Sequence, residues 1–227
     1  MIDPHLALGA AMVLFVGSHW LLSHPLRTPA VRILGRNGFQ AVYSFIALAA
    51  LLLVIFAYKR APAGPTLWNG MAALPWLLTS LLTILAMALL IASLGGNPAL
   101  SPKRMNGLSA RTPHGVFRVT RHPMLFAIAI WAVSHLLVAP SLRALLLDGG
   151  LALMAVGGAR AQDAKFTALY DREWRIWCRR APFWPNLRAL PALGWTWAIA
   201  VVAWLGVSAL HWLIARIPAG TWALFLG

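Results

Sequence analysis

Carboxylates are scarce in this sequence. Five Asp and Glu stand against 19 Lys and Arg, and none of the five is expected centrally in an apolar run. A small metal ion held inside such a run is disfavoured, because all its ligands must come within ~2 Å of it. Cysteine is scarcer still. Cys178 stands alone, so no intrachain disulfide forms. Its neighbours Arg179 and Arg180 suit a lowered thiol pKa; the alternative is an unreactive interfacial Cys. The first apolar run lacks a basic leader and an A-x-A cleavage pattern, and acidic Asp3 flanks it. It therefore reads as a helix of the mature protein and not as a signal peptide. No aromatic-basic reading motif accompanies the net charge of +14, which argues against a nucleic-acid partner. There is no internal repeat and no soluble module.

Apolar residues are what the chain has in excess. They make up 60% of it, and the mean hydropathy is +0.74. Six runs reach membrane-spanning length, approximately 4–23, 39–58, 73–94, 122–139, 142–159 and 194–215. A hydrocarbon core ~30 Å thick needs ~20 helical residues, and backbone in lipid must satisfy its own hydrogen bonds. The fold expected is all-α, a polytopic membrane bundle of about six transmembrane helices plus one interfacial amphipathic helix. It forms a single membrane domain, 1–227. Of the 19 basic residues, 15 fall in the first, third and fifth loops, and only Lys59, Arg60, Arg143 and Arg216 fall elsewhere. The positive-inside rule puts those three loops in the cytoplasm and both termini outside, in a cell inner membrane. The basic excess is thus a topology and lipid-surface signal, at about 1 kcal/mol per residue near anionic headgroups.

Two connections are long. Residues 95–121 are rich in Gly, Pro and Ser and read as an irregular cytoplasmic loop. In 160–190, Phe166, Leu169, Tyr170, Trp174 and Trp177 recur at spacings of three and four, with Lys and Arg between. That is a basic amphipathic helix suited to the membrane interface, ended by Pro182 and Pro185. Twelve tryptophans, many near run ends, fit an aromatic belt. Gly157 and Gly158 suit close helix packing.

Seven histidines remain. His5, His24, His114 and His211 lie at or near interfaces and need no special role. His19 and His135 lie at membrane depth, where a polar ring is costly and faces the bundle interior. His122 and His135 are 13 residues apart, so ~20 Å along one axis and ~140° apart in direction, and share no small site. His19 and His135 are offset by roughly 10 Å in depth, and helices packed 8–10 Å apart can present both rings to a large planar group. One reading is axial ligation of a haem iron by His19 and His135. The other is a hydrogen bond from each ring to a neighbouring helix, at ~0.6 kcal/mol. Arg121-His122-Pro123 opens a helix, with Pro123 in its first turn. That corner suits an anion or a lipid headgroup; alternatively it is a snorkelling basic anchor.

The stretch "GSHWLLSHPLRTPAVRILGRNGFQAVYSFIALAALLLVIFAYKRAP", with "RHPMLFAIAIWAVSHLL", resembles the NnrU family of bacterial membrane proteins over most of 9–160. The resemblance implies an association with denitrification and kinship to 15-cis-zeta-carotene isomerase, a haem-b membrane protein. It implies His19 and His135 as the haem residues. The isomerase has Cys three residues before the second histidine; here that residue is Ala132, so the resemblance does not extend to a thiol at that place. RHP followed by "LYDREWRIWCRRAPFWP" is also similar to isoprenylcysteine and phospholipid methyltransferases, which implies S-adenosylmethionine near Arg121, His122, Glu173, Trp174 and Trp177. The paired glutamates of that group are missing: Gln162 and Asp163 stand there, and Asp171 replaces a Gly. The expectations are a haem-b protein acting as an isomerase or redox-linked protein on a lipid-soluble substrate, a methyltransferase using S-adenosylmethionine, or a non-enzymatic assembly factor with a respiratory-complex partner.

Overall fold

A computed structural model describes residues 2–217 and 219–220. The outermost residues of the expected 1–227 domain lie outside them. The apolar runs fold as helices, with no strand among the described residues. Helix α1 is Pro4–Ser23. Asp3 caps it, accepting from the His5 and Leu6 amides at 2.8 and 3.0 Å, and Pro4 fits the first turn without wasting a donor. Helix α2 is Arg27–Arg60, broken at Gly35, whose φ of 70° favours a residue without Cβ. The break separates a short basic turn from the membrane-length part. Helix α3 is Ala73–Ser93, α4 the single turn Val116–Val119, α5 Pro123–Val138, α6 Leu142–Arg180 and α7 Thr196–Ala215.

Five of these, α1, α2, α3, α6 and α7, are long and apolar enough to cross a membrane. Their outward faces carry exposed Val13, Phe45, Leu81, Leu153 and Val202, as lipid contact requires. The fourth expected span is shorter. Helix α5 has 16 residues, ~24 Å against a ~30 Å core. Pro123 and Pro140 bracket it, and its beginning is enclosed by protein. The Arg121 amide donates to the Pro182 carbonyl at 2.9 Å, the Asn186 amide to Val119 at 2.8 Å, and the Thr120 hydroxyl to Phe183 at 2.6 Å.

The helices pack in the spatial order α2, α1, α6, α5, α3, α7, each against the next. Gly157 serves as expected: the Trp20 ring of α1 lies where a Cβ at Gly157 would sit. The amphipathic stretch does not leave its whole apolar face to the headgroups. It prolongs α6, continuous up to Asp171, where φ 20° and ψ −91° break the helix. Its apolar face is covered by the protein's own loops. Phe166, Trp174 and Trp177 are buried in one core with Met105, Leu108, Phe117 and Leu193. Leu169 stays exposed. The helix ends at Arg180, ahead of Pro182. No carboxylate lies centrally in a span among the described residues, but Asp148, near the start of α6, is 7% exposed and forms no ion pair among them.

Candidate functional site

Two polar constellations lie at the basic end of the bundle. The first centres on Asp163, past the apolar stretch of α6. Its carboxylate receives a two-pronged guanidinium from Arg121, with Nε at 3.1 and 3.2 Å and Nη2 at 2.6 Å. His122 Nε2 donates at 2.8 Å and Trp174 Nε1 at 3.2 Å. Arg121 Nη1 also reaches the Ala181 carbonyl at 3.0 Å. Burial pushes the Asp163 carboxyl up, but the bonds from His122 and Arg121 outweigh it and hold the group down to about 2. The anion at the mouth of α5 is therefore the protein's own. Arg121 and His122 are not snorkelling anchors, since both side chains are enclosed. Cys178 lies 3.9 Å from the same carboxylate, and burial pushes its thiol up to about 11. Arg179 and Arg180 do not activate it; Arg180 bonds the Ser109 and Arg111 carbonyls. Glu173 accepts from the Ser109 amide and hydroxyl at 2.6 and 3.0 Å, which pins the 95–121 loop to α6.

The second is a cavity of about 440 Å³ between α1, α2, α5 and α6. Its apolar wall comprises Phe39, Leu125, Ile128, Met154 and Ala155. His19 of α1 stands on that wall. Its Nδ1 donates to the Phe15 carbonyl at 2.8 Å, and its ring meets the edges of Phe15 and Tyr43, with centroids at 4.6 and 5.7 Å. A carbonyl only accepts, so Nδ1 carries a proton, and in the neutral ring Nε2 presents a lone pair. The basic end of the cavity is lined by His24, Arg27, Arg36 and Lys165, with no carboxylate on the wall. Burial, then the Arg27 charge, holds the Lys165 ammonium below its usual range. His24 Nε2 donates to the Ala161 carbonyl at 2.6 Å, and its Nδ1 is buried without a partner.

His135 is not on this wall. Its Nδ1 donates to the Trp131 carbonyl at 2.8 Å, and its ring lies 4.4 Å from that of Trp131. Ile128, which does line the cavity, precedes it by seven residues, ~10 Å along α5. Helices α1 and α5 each pack on α6. The two membrane-depth rings are thus not brought into one cavity. Arg121 and His122 are not on its wall either. Among the described residues, no group of three or more His, Cys, Asp or Glu is placed to hold a metal ion. Sequence reasoning places His24 at an interface and Arg27, Arg36 and Lys165 in the basic loops, and assigns none of them to a site. The signal that could have found them is "SHPLR", a second His-Pro beside a basic residue, in a chain short of acids.

No curated protein and no solved structure matches this chain. A family model does, that of the NnrU protein, over residues 7–219, well beyond the 9–160 in which the resemblance was read. By that match over nearly all of its length, this multi-pass membrane protein belongs to the NnrU family.

Proposed function

We propose that this NnrU-family protein binds haem b in the cavity between α1, α2, α5 and α6, with His19 as the iron ligand. The observation that carries the reading is the His19 ring itself. It stands on a cavity wall, its Nδ1–H is committed to the Phe15 carbonyl, and its Nε2 is left free. Metal-bound histidines are oriented in this way, by donating the other ring N–H to a carbonyl or carboxylate. The cavity volume falls in the ~300–1,000 Å³ range of small-molecule and cofactor sites. The donor set offers one imidazole that would hold the iron, as in haem proteins with a single His ligand. His135 is left out of the ligand pair because it does not line the cavity. When bound, the haem would supply redox chemistry at its iron. The chain's own residues orient the ring through Phe15 and Tyr43 and exclude water through Phe39, Ile128 and Met154. The family's association with denitrification and its kinship to a haem-b isomerase support a redox-linked or isomerase role. The basic end then faces the cytoplasm, by the positive-inside rule.

The test is an absorption spectrum of the detergent-purified protein after haem-replete expression. A Soret band is expected, lost in His19→Ala and retained in His135→Ala. A wild-type protein without the band refutes the reading. The reverse pattern in the two variants refutes the ligand assignment. S-adenosylmethionine is not proposed at the mouth of α5, where Arg121 and His122 serve Asp163.

A further inference from the structure

The cavity has two unlike ends. Near His19 its wall is aromatic and aliphatic. At the other end the wall carries three cations, half-buried Arg27 and Lys165 and exposed Arg36, and no carboxylate. Like charges gathered without a counter-ion repel one another, the more so where they are partly withdrawn from water, as Arg27 and Lys165 are. Asp163, close by in sequence, does not offset them, since its oxygens are taken by Arg121, His122 and Trp174. Three cations ask for an anion, and the apolar wall beyond them asks for an apolar body. An ionised carboxylic acid with an apolar body meets both needs.

We infer that the basic end of the cavity binds the ionised acid end of a lipid-soluble carboxylic acid, with Arg27, Arg36 and Lys165 facing its oxygens. The apolar body of the ligand extends along Phe39, Ile128 and Met154 towards His19. The inference rests on the cavity being the ligand site of the proposed function, but not on iron.

Two acid–neutral pairs test it on the full chain in detergent, read by tryptophan fluorescence, to which Trp20 on the cavity wall contributes. One pair is metal-free protoporphyrin IX and its dimethyl ester; the other is oleate and oleyl alcohol. Each acid is expected to bind at least tenfold more tightly than its neutral partner. That preference is expected to vanish in Arg27→Gln/Lys165→Gln and to persist in Arg188→Gln, which lies off the cavity wall. Equal affinities for acid and neutral forms overturn the inference. So does a preference that survives in the double variant, or the failure of all four compounds to bind. If neither porphyrin binds while oleate still outcompetes oleyl alcohol, the haem reading fails and the acid site stands.

Discussion

Replacing Asp163 with Ala removes the one acceptor shared by Arg121, His122 and Trp174. The Arg121 side chain is 12% exposed and that of His122 is 0%. Breaking a buried ion pair from one side costs ~3–5 kcal/mol, because the partner charge is left unpaired. Asp163 itself is 20% exposed, and Arg121 keeps the Ala181 carbonyl, so the lower end, ~3 kcal/mol, is expected. That corresponds to a factor of ~100–200 in the population of any locally opened state that depends on the node. Cys178 reports on it directly. It is the single cysteine, 3.9 Å from the carboxylate. Its thiol stands at about 11 against an ordinary 9.0, which lowers its thiolate fraction at neutral pH by about a hundredfold. N-ethylmaleimide should modify wild-type Cys178 slowly, and Asp163→Ala should raise the rate at least tenfold while lowering the melting temperature. Modification of the variant at the wild-type rate, with unchanged melting, would refute the view that this carboxylate anchors the α6 extension to the mouth of α5.

Asp163 titrates near 2 in the folded protein against 3.8 unfolded. A depressed carboxyl stabilises fully above its unfolded value, and that contribution is lost as pH falls through the folded one. Acid melting curves should therefore steepen between pH 4 and 2 in the wild type relative to Asp163→Asn. At Gly157 a Cβ would run into the Trp20 ring, so Gly157→Ala should cost ~1–3 kcal/mol by forcing α1 off α6, read as a lower melting temperature. Asp171→Gly should act in the opposite sense. The φ of 20° at this break is unfavourable for a side chain, the cost of such conformations is ~1–3 kcal/mol, and the exposed Asp171–Arg175 pair given up contributes little. A lower melting temperature in Asp171→Gly would sink that account.

The helices were legible because lipid imposes a length and a composition that nothing else in the sequence mimics. What covers an amphipathic face was not legible. Phe166, Trp174 and Trp177 offer the same stripe to a headgroup layer as to Met105, Leu108 and Phe117, and periodicity is blind to the difference. Depth was legible for His19 and His135, but neighbourhood was not. Position along an axis follows from counting residues; which helix stands beside α1 follows from packing details such as Gly157 under Trp20. The spacing of "RHP" placed Arg121 and His122 correctly at a helix mouth. It gave no hint that Asp163, 42 residues beyond Arg121, would arrive there first.

The shortage of acids with which the sequence opens reappears as chemistry once each carboxylate is located. Asp3 caps α1, Asp148 is buried in α6, Asp163 is shared by Arg121 and His122, Asp171 meets Arg175, and Glu173 holds Ser109. None lines the cavity. In an ordinary protein, with Asp and Glu about as common as Lys and Arg, a wall carrying Arg27, Arg36 and Lys165 would usually carry its counter-charge as well, and would say little about a ligand. Here the chain has no carboxylate left to place there. The counter-charge at that end of the cavity then comes from outside the chain, and the proposed ligand, apolar along its body with an acid at one end, brings it to a site whose remaining wall is apolar.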